Sequence, residues 1–150
     1  MTPPPNIVLA VDPGTAKCGV AVVERREPPL AHHVRHRAVV ETARLEAHVR
    51  ELLRSHPVGA VLVGDATGGR ALAETLRALL PPGVPLHPVP EAHTSERARA
   101  RYLAENPPRG LLARLVPAGM RVPPVPVDDY VAVILAETFF AAGTPPAPRP

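Results

Sequence analysis

The chain has 150 residues, with 17 Lys+Arg against 14 Asp+Glu for a net charge of +3, 45% hydrophobic residues and 3% aromatics. No apolar run reaches the ~18 residues of a membrane span, Met1-Thr2-Pro3-Pro4-Pro5 lacks the basic and apolar regions of a signal peptide, and a lone cysteine, Cys18, excludes an internal disulfide framework and a cysteine-based zinc site. The expected setting is cytoplasmic, without a membrane partner. Of the 22 prolines, all but Pro13 and Pro57 cluster at residues 3–5, 28–29, 81–90, 107–108, 117–126 and 145–150. Between the clusters lie blocks of regular apolar pattern, so proline punctuates elements here. Residues 1–5 and 143–150 read as tails, leaving one domain over residues 6–142.

Ile7-Val8-Leu9-Ala10-Val11 is a continuous apolar run ending in Asp12, the pattern of a strand buried on both faces. After the Pro13-Gly14 turn, Gly19 to Val23 predicts a second strand, antiparallel to the first. A third, with the polar alternation of an edge, is predicted within residues 30–40, where solvated histidines (His32, His33, His36) are expected. Residues 41–55 carry Leu45, Val49, Leu52 and Leu53 at helical spacing, and Pro57 stops that helix. Val58 to Val63 is another buried strand, closed by Gly64-Asp65. Ala71 to Leu80 is a helix ended by Pro81-Pro82-Gly83, and residues 84–89 form a short fifth strand leading to Glu91. Residues 94–105 form a helix capped by Thr94 or Ser95, residues 106–127 a proline-rich loop, and Asp128 to Phe140 a strongly apolar helix that takes Phe139 and Phe140 into the core. The architecture expected is α/β: three antiparallel strands first, then βα units, making a mixed five-stranded sheet flanked by helices.

Four acids fall at the ends of these elements: Asp12 after the first strand, Asp65 after the fourth, Glu91 after the fifth, and Asp128, with Asp129 beside it, at the start of the last helix. The carboxyl ends of adjacent strands form the ligand crevice of open α/β sheets. Carboxylates gathered there repel one another unless a cation lies between them. Oxygen-only donors suit Mg²⁺ or Mn²⁺, and two such ions activate a water and steady the leaving oxygen of a phosphodiester. Each acid also has a plainer reading: Asp12-Pro13-Gly14-Thr15 is a good turn, Asp65 a turn residue, Glu91 a surface acid and Asp128 a helix cap.

Lys17 is the only lysine, so 16 of the 17 basic residues are arginines. Between residues 92 and 127, Arg97, Arg99, Arg101, Arg109, Arg114 and Arg121 stand against Glu96 and Glu105, a local balance of +4. Such a stretch between two of the acids suits a phosphate backbone. Tyr102 is the one aromatic nearby for base stacking, and His93 is a candidate for proton transfer or phosphate contact.

Val11-Asp12-Pro13-Gly14-Thr15-Ala16-Lys17-Cys18-Gly19-Val20-Ala21-Val22 resembles the opening motif of the YqgF/RuvX family and, more distantly, of RuvC-type resolvases. Val61-Leu62-Val63-Gly64 resembles the family's strand ending in Val-Gly, Glu91-Ala92-His93-Thr94-Ser95-Glu96-Arg97-Ala98 its second acidic motif, and Asp128-Asp129-Tyr130-Val131-Ala132-Val133-Ile134-Leu135 its third. The blocks keep family order from about residue 7 to residue 140. The resemblance implies an RNase H-like fold and a metal-dependent nuclease with catalytic acids at Asp12, Glu91 and Asp128. It implies an enzyme that resolves Holliday junctions or matures the 5′ end of 16S ribosomal RNA, acting on branched DNA or precursor rRNA, with a homodimer natural for the former. Gly64 is followed by Asp65-Ala66 where the family has Leu-Pro, and RuvC-type enzymes carry their second acid near there, which makes Asp65 a fourth candidate metal ligand. They carry a further acid one turn into the last helix; Val131 stands at that place and Asp129 is the substitute candidate. Thr15 and Lys17 on the first turn, with the six arginines above, are the nucleic-acid-binding candidates. Two other readings fit the same residues: a non-catalytic nucleic-acid-binding module, and an ATP-binding domain of the actin and sugar-kinase kind, whose phosphate loop also opens Asp-x-Gly-Thr.

Overall fold

A computed structural model describes residues 5–27, 32–65, 68–91, 94–107, 115–117 and 127–142. Residues 1–4 and 143–150 of the expected tails, most of the 106–127 loop, His93, Arg109, Arg114 and Arg121 lie outside the described residues.

The strands are β1 (Ile7–Asp12), β2 (Lys17–Glu24), β3 (His33–Glu41), β4 (Ala60–Gly64) and β5 (Leu86–Val89). They form one sheet in the order β3-β2-β1-β4-β5. The β1–β2 and β2–β3 pairings are antiparallel and the β1–β4 and β4–β5 pairings parallel, as expected from the sequence. The described helices are α1 (Leu45–Ser55), α2 (Gly69–Arg77), α3 (Thr94–Glu105) and α4 (Asp128–Ala142). None is long and apolar enough to cross a membrane.

Between their end residues the central strands β1, β2 and β4 carry only apolar residues because both faces are covered. Ile7, Leu9 and Val11 of β1 point to α1 and α2, packing with Leu45, Val49 and Leu76. Val8 and Ala10 point the other way, to α4 and to Ala98 of α3. Helix α4 is buried from Tyr130 through Ala136 and again at Phe139. It has no single apolar stripe because the sheet lies on one side of it and α3 on the other, as the mixed contacts of this cluster show.

Several boundaries differ from the sequence expectation. Residues 42–44 form a 3₁₀ turn before α1. Strand β4 starts at Ala60, and Gly59 before it already donates its N–H to the Ile7 carbonyl of β1 at 2.9 Å. Helix α2 starts two residues early, just after Gly68, whose φ of 87° is open to glycine. It ends at Arg77, and Leu79 and Leu80 continue only in single turns, with N–H bonds to the Leu76 and Arg77 carbonyls. Strand β5 keeps four residues and tolerates Pro88 because it is the sheet edge.

The β2–β3 ladder carries a bulge: Val22 pairs His36 and Val23 pairs Val34, leaving Arg35 as the extra residue. A bulge reverses the alternation of side chains beyond it. Val34 therefore packs with the α4 cluster, whereas Ala38 packs with the α1 and α2 cluster. His36, paired with Val22 and in step with Ala38 and Val40, lies on the α1 side, and Arg37 lies on the α4 side.

Candidate active site

In the parallel part of the sheet Val11 lies beside Val63 and Gly64 beside Val89. The residues that follow, Asp12, Asp65 and Glu91, thus emerge at one carboxyl edge. Asp128 is brought to the same edge by glycine. Gly19, the β2 partner of Asp12, lies so close to the Asp128 backbone that a Cβ there would overlap its carbonyl.

Glu91 is the most firmly held of the four. Its N–H donates to Asp65 Oδ1 at 3.1 Å, and its carbonyl accepts from the Thr94 hydroxyl at 2.8 Å and the Thr94 N–H at 3.1 Å. Thr94 is buried at the start of α3. The Glu91 side chain lies over Gly64, where any Cβ would collide with the carboxylate. Its Oε1 is buried and has no hydrogen-bond partner among the described residues, a costly state for a carboxylate oxygen.

Asp12 is half-buried, and its carboxyl is pushed up to about 8 by burial, by a hydrogen bond with Glu91, and by the charges of Glu91 and Asp128. One proton is thus retained between two carboxylates where two negative charges are untenable. Asp128 is also raised, by burial and by Asp129, while Lys17 pulls it back.

The donor set suits a hard divalent cation. An orphaned carboxylate oxygen, a carboxyl that keeps its proton and a third acid within electrostatic reach together lack positive charge, and all offer oxygen. Among the described residues no three His, Cys, Asp or Glu side chains already converge as a complete cage. The preformed part is the Asp12–Glu91 pair, and Mg²⁺ typically takes one or two carboxylates and keeps waters.

Asp65 and Asp129, candidate ligands on the sequence, have other partners here. Asp65 holds the Glu91 backbone. Asp129 accepts the Tyr130 N–H on Oδ1 at 3.0 Å and pairs through Oδ2 with Arg37 Nε at 3.0 Å. Arg37 also lies over the Tyr130 ring, 4.0 Å from its centroid, and the Tyr130 hydroxyl donates to Glu105 at 2.9 Å. This network ties the first turn of α4 to β3 and α3. Val131, at the place of the missing acid, is buried in the core. Replacing Arg37 by Met removes the ion pair and the cation–π contact, and the expected cost is about 1–2 kcal/mol. A lowered urea midpoint with unchanged slope checks this.

Thr15 and Lys17 are exposed on the β1–β2 turn, as a phosphate contact requires. The α3 arginines are partly committed within the fold. Arg101 pairs with Glu105 at 3.4 Å and with Glu137 of α4, and Arg97 donates to the Thr138 hydroxyl at 3.4 Å. Arg99 is exposed. Tyr102 meets Tyr130 edge-on, with ring centroids 5.6 Å apart, so it packs α3 on α4 and is no free stacking platform. Cys18 is a buried core residue whose thiol lies 3.4 Å from the Thr42 hydroxyl. The expectation of solvated histidines holds for exposed His33, whereas His32 is half-buried against Phe140 and His36 against His48. Arg37, the bonding role of Asp65 and the close approach at Gly19 were not read from the sequence; the Val-Gly strand ending was the one visible hint for Gly64.

No protein-family model matches the chain, and no curated protein matches it. Among solved structures it is similar to Thermus thermophilus RuvC, with a TM-score of 0.56 at 22% identity over 92% of this chain and 97% of that one. A second match, T. thermophilus RuvC in complex with Holliday junction substrate, has a TM-score of 0.55 at 22% identity, covering 92% and 96%. The fold is therefore the RuvC-like, RNase H-like α/β fold.

Proposed function

We propose that this chain is a nuclease dependent on Mg²⁺ or Mn²⁺ that hydrolyses phosphodiester bonds of structured nucleic acid, with Asp12, Glu91 and Asp128 as its metal-binding carboxylates. The carrying observation is the Asp12–Glu91 pair at the carboxyl edge of the sheet, where a buried, unpartnered Glu91 oxygen lies beside the half-buried Asp12 carboxyl. A non-catalytic binding module has no use for such a pair, since carboxylates only repel phosphates. When bound, the divalent ions supply an activated water and stabilise the leaving oxygen.

The chain's own residues set up this chemistry. Asp65 and Thr94 fix the Glu91 backbone from both sides. Gly64 leaves room for the Glu91 carboxylate beside Asp12, and Gly19 lets α4 deliver Asp128. Arg37 occupies Asp129, which leaves Asp128 as the acid of that turn directed to the site. Lys17, close enough to bias Asp128, stands with Thr15 where a substrate phosphate would approach.

Branched DNA is the favoured substrate, because a solved relative of this fold is complexed with a Holliday junction. Precursor 16S rRNA is the second, supported by the YqgF/RuvX-like motifs at Asp12, Glu91 and Asp128. Cleavage of a labelled four-way junction and of a 16S precursor, assayed in parallel, decides between them. Faster junction cleavage is the expected result, and cleavage of the precursor alone would transfer the assignment to RNA processing.

A further inference from the structure

A second group of metal-ligating side chains lies between β3 and α1, elements that contribute none of the acids. Paired with Val22 and two residues from Ala38, His36 points to the α1 side of the sheet, where it meets His48. Their Nε2 atoms share a hydrogen bond at 3.0 Å, with ring centroids 5.1 Å apart and the planes inclined by 40°. Two imidazole nitrogens bound to one ion at the usual ~2.0–2.1 Å lie about 2.9 Å apart at a right angle and about 3.3 Å apart at the tetrahedral angle. The observed separation falls between these values. Burial lowers the proton affinity of both rings, and His48 and His56 add to this at His36. Both imidazoles therefore stay neutral at neutral pH, the state in which a ring nitrogen binds a metal. His48 also lines an open cleft of about 630 Å³, bordered by Glu41, Arg44 and Glu51, which opens the pair to solvent.

We propose that His36 and His48 form a two-histidine site for a divalent transition ion of the Zn²⁺ class, which on binding ties the edge strand β3 to α1. Imidazole pairs select Zn²⁺, Ni²⁺ or Cu²⁺ over Mg²⁺, so this site and the acidic one sort ions by ligand type. No third His, Cys, Asp or Glu completes the site among the described residues, so the affinity is weaker than that of a four-ligand structural zinc.

The test is Zn²⁺ titration by calorimetry, paired with thermal melts, in the Asp12→Asn protein so that the acidic site contributes least. The expected result is one Zn²⁺ bound per chain and a raised Tm. His36→Ala and His48→Ala each weaken binding by about tenfold or more and remove the Tm rise. His48→Gln, which keeps a hydrogen-bonding partner for His36, behaves as His48→Ala and guards against a folding artefact. His33→Ala leaves both signals intact. Absence of Zn²⁺ binding, binding that survives loss of both His36 and His48, or equal loss in His33→Ala would overturn the proposal. The outcome does not depend on the nuclease reading.

Discussion

Asp12→Asn is expected to move activity and stability in opposite directions. The folded Asp12 carboxyl titrates at about 8 against 3.8 for an ordinary one, so the folded state holds a proton that the unfolded state has lost. Without metal, wild-type stability therefore falls as pH rises from about 4 through about 8, and Asn removes that penalty. A shift of about four pKa units corresponds to about 6 kcal/mol if fully buried. The group is half-exposed to screening water, and about 1–2 kcal/mol is the expected gain near pH 8, or roughly 3–6 °C in Tm. On the proposed function the same substitution removes a metal ligand, and the cleavage rate should fall about 10³-fold or more. Metal should reverse the ranking. Mg²⁺ or Mn²⁺ raises the Tm of the wild type by binding only the folded state, and raises that of Asp12→Asn far less. Thermal melts across pH 5 to 9, with and without metal, check both signs.

Gly64→Ala is the second large effect, and it separates site geometry from fold. The new Cβ would occupy the space of the Glu91 carboxylate. The obstructed group is the end of a side chain, which swings aside more cheaply than backbone moves. The stability cost should stay near 1 kcal/mol, while the cleavage rate drops about 10²-fold or more because Glu91 leaves Asp12. Gly19→Ala should behave differently. Its Cβ meets the Asp128 backbone, so α4 itself must shift, and stability should fall together with activity. A Gly64→Ala protein that unfolds as readily as Gly19→Ala would contradict this division.

The elements and the acids were legible for the same reason. Strands buried on both faces write themselves as unbroken apolar runs, such as Ile7 to Val11 and Val58 to Val63, and each run ends abruptly where the chain reaches the carboxyl edge. Asp12 and Asp65 stand at those endings, and Glu91 follows the short edge strand β5. What stayed hidden depends on pairing across the fold. The bulge at Arg35 leaves no mark in a polar edge strand, yet it decides that Val34 faces α4 while His36 faces α1. Helical spacing showed arginines along α3, but their partners Glu137 and Thr138 lie on a helix dozens of residues away. The excess of acids at the site left the division of labour open. Only the hydrogen bonds distinguish Asp65, which holds the Glu91 backbone, from the Asp12–Glu91 pair that faces the site.

The most direct test of the central claim is cleavage of a labelled four-way junction by the wild-type chain and by Asp12→Asn, each with Mg²⁺ or Mn²⁺ and with chelator. The account predicts cleavage by the wild type with metal, none with chelator, and a loss of about 10³-fold in Asp12→Asn. Equal cleavage by both proteins, or cleavage that persists in chelator, would contradict it.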